Sequence, residues 1–548
     1  MMAQTATMKR LRFLKVIEFP GRKALMQLNR RSFLALGSLA GATVAGISLS
    51  GCGKEGLRAE KEAKKLPRPR GWDGETRALP IPPLAQSQEV DAQRSFTLIT
   101  QRGESEILPG IKTPTWGFNG AHPGPTIRVS RGDAVSITVL NELTEETAVH
   151  WHGMLVPARA DGGPHSPIAP GKKWTANYTV EQPAATLWYH PHPHGETGLQ
   201  AYRGLAGMIL LEDEVSKSLD IPQEYGVDDV PLILMDANFT EAGVLDETMD
   251  ETVGLLGEVP HVNGVTNPHF QATTRRVRFR ILCGSTMRFH NLALSDSRPF
   301  HLIASDSGLL DAPQKVTSVM LGPGERTEIV VDIEPGEEVS LQSIGFKDNL
   351  GVPQDEYTAK FRLQDAHEVL LIKGPENSAP EPKALPQVLD TSASELPDTK
   401  HSIERKFALN TFQINDQSMD MQRVDIAIAH SDPEKWVVTN TNSDWIHNFH
   451  IHNCAFKVLD LSGTDAGVAT QGWKDTITLP PGATATLAVV FGQYRDNHYP
   501  YMYHCHMLFH EDQGMMGQYM MLNKGEVPDL RTDYTLTHPA GGHQHGHS

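Results

Sequence analysis

The sequence predicts an all-β chain folded as three tandem β-sandwich domains, and two observations predict it. The chain has 548 residues, too many for one core when a domain takes about 150. Its apolar residues fall in short runs separated by Gly, Pro and Asn, the pattern of many short strands joined by turns. In the first region, 89–215, the runs are Arg94–Thr100, Thr126–Val129, Ala134–Leu140, Lys173–Val180, Thr186–His190 and Gly207–Leu211. A second region, 228–376, carries Val230–Asp236, Val277–Leu282, Phe300–Ser305, Thr327–Asp332 and Glu368–Lys373. The third, 403–525, carries Phe407–Ile414, Lys435–Asn440, Ala455–Leu459, Thr476–Leu479 and Thr484–Phe491. Loops rich in Pro, Asp and Gly near 216–230, and in Pro, Glu, Ser and Asp over 375–402, separate the three. Each sandwich is expected to be antiparallel.

The first 51 residues read as an address. Leu28-Asn29-Arg30-Arg31-Ser32-Phe33-Leu34 is a twin-arginine pattern, and a small-residue apolar run from Ala35 to Leu49 follows it. That run is too short and too rich in glycine for a membrane span. It ends in Leu49-Ser50-Gly51-Cys52, which resembles a lipobox. Cys52 is then the lipid-bearing first residue of a protein exported by the twin-arginine route and anchored in the periplasm or on the outer face of the envelope. The alternative is an ordinary cleaved signal with an incidental cysteine. A start at Met26 gives a more usual signal length. Residues 52–88, rich in Lys, Glu, Arg and Pro, read as a flexible tether.

Net charge is −17, but residues 1–51 hold eight Lys/Arg against one acidic residue, leaving 41 basic against 65 acidic residues beyond, a net of −24. An acidic exported body disfavours nucleic acid as a partner and mildly favours cationic substrates. We expect a monomer.

Four segments carry closely spaced histidines: His150-Trp151-His152, His190-Pro191-His192, His447-Asn448-Phe449-His450-Ile451-His452 and His504-Cys505-His506. On a strand, a His-x-His pair puts both imidazoles on one face about 7 Å apart, a spacing suited to neighbouring metals. If Tyr499–Met507 is a strand, Cys505 looks away from His504 and His506, so one strand serves two sites. His447, three residues before His450, turns to the Cys505 side by the same parity. A thiolate with His447, His510 and the thioether of Met515 is the donor set of a blue-copper electron-transfer centre.

The four segments, in this order and at these positions, resemble the copper-binding motifs of the multicopper oxidases, over about Ser95 to Leu522. Within that family the likeness is to bacterial copper-efflux oxidases and bilirubin oxidases, carried by Thr115-Trp116-Gly117-Phe118-Asn119-Gly120, Leu143-Thr144-Glu145-Glu146-Thr147, Gln182-Pro183-Ala184-Ala185-Thr186 and Gly472-Trp473-Lys474-Asp475-Thr476. The resemblance implies cupredoxin-like Greek-key domains, with the second a copper-free spacer, and four coppers per chain. His150 and His450 then hold a type 2 copper. His152, His190, His192, His452, His504 and His506 hold a type 3 pair between the first and third domains. His447, Cys505, His510 and Met515 hold a type 1 copper.

It further implies proton supply by Asp161 and Glu511, each with a turn-stabilising or solvated carboxylate as the plainer reading. Trp445 and Asp444 are placed at the type 1 rim, where core packing is the plainer role for Trp445. His165 and His194 match no ligand position. Cys283 reads as a packed hydrophobe, though a pairing with Cys454 is conceivable in an oxidising compartment. The tail 526–548, ending His543-Gln544-His545-Gly546-His547, either scavenges metal or does nothing of the kind.

The implied activity couples four one-electron oxidations of a reductant to reduction of O2 to water. The reductants expected are phenols, aminophenols and bilirubin-like compounds, because the methionine-rich insertion of the copper-efflux oxidases is missing at 375–402. A cuprous- or ferrous-ion oxidase is the alternative. A third reading is a copper-free structural protein, like a twin-arginine-exported cell-division protein on the same scaffold that has lost its ligands.

Overall fold

Six sheets, paired around three apolar cores, carry almost all the regular structure of the computed structural model, which describes residues 75–90, 93–377, 379–464 and 467–531. The signal segment, Cys52 and most of the tail fall outside the described residues. No described helix is long and apolar enough to cross a membrane.

The first sandwich uses strands from Ser87–Val90 to Gly207–Glu212, the second those from Asp229–Ala237 to His367–Lys373, and the third those from Glu404–Asn410 to Met516–Met521. Alternation explains them locally. In Ala134–Asn141 every second residue is buried, and Val135, Ile137 and Val139 face the first core with no exposed surface.

The sheets are mixed rather than antiparallel as expected. In each sandwich the first long strand pairs parallel with a later one: Gln93–Ser105 with Ala134–Asn141, Asp229–Ala237 with Arg276–Cys283, and Glu404–Asn410 with Glu434–Asn440. Parallel neighbours need a long crossover, and more than twenty residues of chain separate the members of each pair. Local alternation carries no information about which strand lies alongside.

Three further expectations change. Residues 75–88 of the expected tether are built into the fold: Arg77–Ala78 pairs with Pro268 and His269, Leu84 bridges Thr126, and Ser87 pairs with Phe96. The run Phe407–Ile414 breaks into the hairpin Glu404–Asn410 and Gln413–Ile414, turning at Thr411 with φ 56°. The strand expected over Tyr499–Met507 covers only Tyr501–His504, and a short helix, Leu508–Asp512, follows. It stops because the His506 N–H donates to the Asn448 side chain, Oδ1 at 2.6 Å, in place of a strand carbonyl.

The sandwiches are joined by buried polar contacts. Asp512 of the third caps the helix Thr197–Tyr202 of the first, its two oxygens accepting from the Thr197 and Gly198 N–H groups at 2.8 Å each. From the second, Arg326 donates to the Thr186 carbonyl of the first (3.0 Å) and to Asp475 of the third. The 375–402 linker runs against the second sandwich, with Leu389 packed on Ile303, Leu309 and Val330. Cys283 and Cys454 are buried, unpaired, and in different cores, so the plain packing reading stands for Cys283.

Candidate metal centres

Parity sorts the donors as the sequence suggests, even though the strand ends early. Cys505 Sγ lies 3.7 Å from His447 Nδ1 and 3.5 Å from His510 Nδ1, and those two nitrogens are 3.1 Å apart. Met515 is fully buried and its carbonyl accepts from the Cys505 N–H. Asn442 Oδ1 accepts from His447 Nε2 (2.9 Å), which leaves Nδ1 with its lone pair toward the sulfur. Burial pushes the Cys505 thiol up to about 12 and the His447 imidazole down to about 3. A thiol held neutral this firmly becomes a thiolate only beside a cation, so the set suits a metal.

The other eight histidines meet on the far side of that backbone, all with essentially no exposed surface. His152, His190 and His506 form one group, with ring centroids 5.7, 4.8 and 5.2 Å apart. His192, His452 and His504 form a second, at 5.1, 5.1 and 5.3 Å. His150 and His450 lie between them, 6.0 Å apart, each stacked on a ring of a neighbouring group at 3.7 Å. Within each His-x-His pair the rings sit 5.1–5.9 Å apart, closer than a flat strand gives, because the rings lean together.

Leftover nitrogens test whether a metal fits. Nε2 of His150, His190, His450 and His510, Nδ1 of His152, and both ring nitrogens of His192 and His506 are buried without a hydrogen-bond partner. His452 Nε2 and His504 Nε2 face each other at 3.2 Å. Each unsatisfied buried group costs about 1–3 kcal/mol. Lone pairs converging in this way fit metal ions and leave no other evident ligand.

The opposite nitrogens are held. His150 Nδ1 and His450 Nδ1 donate to the Asp161 and Asp475 carbonyls, 2.9 Å each, and His190 Nδ1 to the Pro191 carbonyl (2.8 Å). His452 Nδ1 donates to Asp161 Oδ2 (2.8 Å), and His504 Nδ1 lies 3.1 Å from Glu511 Oε2. Glu511 Oε1 is 3.3 Å from His192 Nδ1. Burial raises the Glu511 carboxyl, but the His192 and His504 imidazoles outweigh it and hold it well below the usual carboxylate range.

Families of related proteins agree with this geometry. Multicopper oxidase profiles match residues 100–216 and 382–525. A multicopper oxidase of Staphylococcus haemolyticus is 35% identical over 474 residues, 85% of this chain and 96% of that one. The chain belongs to the multicopper oxidase family. The cell division protein FtsP of Yersinia pestis is 34% identical over 504 residues, 90% of this chain and 98% of that one. The crystal structure of a laccase from Pediococcus acidilactici superposes with a TM-score of 0.74 at 34% identity, covering 84% of this chain and 95% of that one. Like the multicopper oxidases it matches, the chain has a cupredoxin-like fold.

Trp445 stacks on the His510 ring, with centroids 5.2 Å apart and planes at 29°, and is 7% exposed. Phe412, Phe361 and the exposed Tyr357 gather round it at 5.3, 6.0 and 6.1 Å. Asp444 beside it is half-buried and pairs with no cation among the described residues. His165 is buried with Nε2 2.6 Å from Gln518 Oε1, and His194 is exposed; the described donor groups contain neither.

Sequence reasoning missed four residues that hold the donors. Asp475 Oδ1 accepts from His152 Nε2 (3.1 Å), which fixes the tautomer that leaves Nδ1 free. Arg326 holds Asp475 in turn. Asn448 holds the His506 backbone and Asn442 holds His447. Asp475 stood inside a motif that marked the family, and nothing in the sequence marked the other three. The second sandwich also closes on the cluster: a Cβ on Gly324, at φ +82°, would meet the His506 ring at 2.8 Å, so glycine is needed for that close approach.

Proposed function

We propose that this multicopper oxidase oxidises small organic reductants such as phenols, aminophenols and bilirubin-like compounds, and reduces O2 to water. His447, Cys505, His510 and Met515 hold a type 1 copper, His150 and His450 a type 2 copper, and His152, His190, His506, His192, His452 and His504 a type 3 pair. Copper bound there supplies the redox chemistry: four one-electron oxidations of the reductant matched to four-electron reduction of O2.

The chain's own residues do the rest. Cys505 is bonded through the backbone to His504 and His506, so a covalent path joins the two donor sets while the substrate rim and the oxygen site stay apart. Burial excludes water from the cluster. Asp161 and Glu511, each against histidines of the cluster, are placed to deliver the protons that water formation consumes. Trp445, Phe412 and Tyr357 give an aromatic rim against His510 on which a ring can stack. The twin-arginine pattern and the Cys52 lipobox support an envelope location, with Cys52 as the membrane contact.

One observation carries the reading: buried, unpartnered imidazole nitrogens from four separate segments converge on one place. A scaffold with only a structural role, the reading that similarity to FtsP favours, has no use for that cost. Copper-loaded protein is expected to show an intense thiolate charge-transfer band at about 600 nm and to consume O2 with a phenol or bilirubin. A colourless protein, inert toward phenol, bilirubin, Cu(I) and Fe(II), overturns the oxidase; O2 uptake with the metal ions alone overturns the organic substrates.

A further inference from the structure

The sheet of the third sandwich that carries the mononuclear donors has a counterpart in the second. There the strands run Met516–Met521, Tyr501–His504, His447–Ile451, Thr476–Leu479; here they run His367–Lys373, Glu338–Ser343, His290–Leu294, Val319–Leu321, with the same antiparallel sense at every step. His447 opens its strand opposite Leu479, and His290 opens its strand opposite Leu321. From that anchor the registers can be counted. His450 pairs with His504, and Ala293 with Gln342, so Ser343 stands where Cys505 stands. His504 pairs with Met516, and Gln342 with Glu368, so His367, opposite Ser343, stands where Met515 stands. His290, Ser343 and His367 therefore occupy the positions of His447, Cys505 and Met515.

What fills those positions is not spent on packing. His290 is 1% exposed and neither ring nitrogen has a hydrogen-bond partner; His367 is 6% exposed and its Nε2 has none. Their ring centroids are 5.5 Å apart, against 5.0 Å for His447 and His510. Both line a cavity of about 10 Å³, room for a single ion or water, together with His261 and Met235. His261, 4% exposed, also has an unpartnered Nδ1. Exposed Glu368 and half-buried Asn267 line it as well.

We propose that His290 and His367 bind one Cu(I) ion in the second sandwich. The chemistry selects this ion. Two neutral imidazoles 5.5 Å apart are uncharged donors that suit a two-coordinate Cu(I), and Ser343 supplies no thiolate. Burial, with the nearby Arg288 guanidinium, lowers the His290 imidazole to about 3 and that of His367 well below its ordinary value, so both lone pairs are free at neutral pH. That guanidinium also disfavours a divalent ion over a monovalent one. Without a thiolate the site adds nothing to a band at about 600 nm, so it is read separately from the centres of the third sandwich.

The test is anaerobic Cu(I) titration of the copper-loaded full chain against bicinchoninate. Wild type is expected to take up one Cu(I) per chain more than His290→Leu or His367→Leu, and the control His301→Leu to match wild type. Equal uptake by wild type and by variants whose 600 nm band is intact overturns the proposal. Should a variant fail to fold, copper-edge anomalous diffraction from wild-type crystals exposed to Cu(I) decides: a peak between the two rings supports the site, and no peak there overturns it.

Discussion

Arg326 and Asp475 meet as a two-pronged ion pair, Nη1 to Oδ1 at 2.7 Å and Nη2 to Oδ2 at 2.6 Å, and neither side chain has any exposed surface. Asp475 in turn orients His152, so a residue of the second sandwich sets a donor of the first through one of the third. Arg326→Leu strands a buried carboxylate, which costs about 3–5 kcal/mol. We expect the urea midpoint to fall accordingly and the copper content of the cluster to drop with it. Arg326→Leu with Asp475→Leu should recover much of the stability but little of the copper, because His152 Nε2 then keeps only the Thr476 hydroxyl at 3.3 Å. Full copper in the double variant would show that His152 needs no orienting.

Asp161 touches two donors from opposite ends, its carbonyl on His150 and its carboxylate on His452. In Asp161→Asn the amide oxygen can still accept from His452, so copper content and the visible spectrum should be unchanged. The amide cannot deliver protons, and turnover should fall on the order of a hundredfold. Glu511→Gln should also slow turnover, with its single acceptor oxygen left to serve either His192 or His504 and not both. Wild-type turnover at full copper occupancy in both variants would remove these carboxylates from proton supply.

The donors were legible because their information is local: a period of two on a strand, a His three residues earlier, a thiolate between two imidazoles. The groups that hold those donors were not. Arg326 lies 149 residues from Asp475, and Asn448 lies 58 from His506. Residues 75–88 look like a tether for the same reason, since their partners, among them Pro268 and His269, are far along the chain. The early end of the strand follows from the Asn448 side chain taking the His506 N–H, which no propensity encodes. The histidines of the second sandwich looked isolated because its repeat is one of register, with no His-x-His spacing to mark it.

Trp445 covers His510, and Asp444 beside it pairs with no cation among the described residues. Trp445→Ala removes the stacking shelf, so kcat/KM for a phenol should fall about tenfold, equivalent to about 1.4 kcal/mol, mostly through KM. Oxidation of Fe(II), which cannot stack, should be little changed. Asp444→Asn should do the reverse, slowing cationic reductants at low salt and losing that effect at high salt. Equal losses for phenol and Fe(II) in Trp445→Ala would mean that the indole acts by packing His510 rather than by binding substrate.

Acid should destabilise the copper-free protein well before its carboxylates titrate. Burial lowers His122 to about 4 and His190, His290 and His447 to about 3, with the Gly204 carbonyl partly opposing it at His122. An unfolded imidazole titrates near 6.5, so between about 6.5 and 3 the unfolded chain binds protons that the folded one refuses. The stability these groups contribute is therefore complete above 6.5 and lost as pH falls, by about 1.4 kcal/mol per pH unit for each. Urea unfolding of copper-free protein at pH about 7 and about 5.5 should show a marked loss at the lower pH. His122 lies outside every donor group and bonds the Gly204 carbonyl through Nδ1 (2.9 Å), a bond glutamine can reproduce. His122→Gln should therefore reduce that loss by about 1.4 kcal/mol, and a loss identical to wild type would show that this histidine can be protonated within the fold.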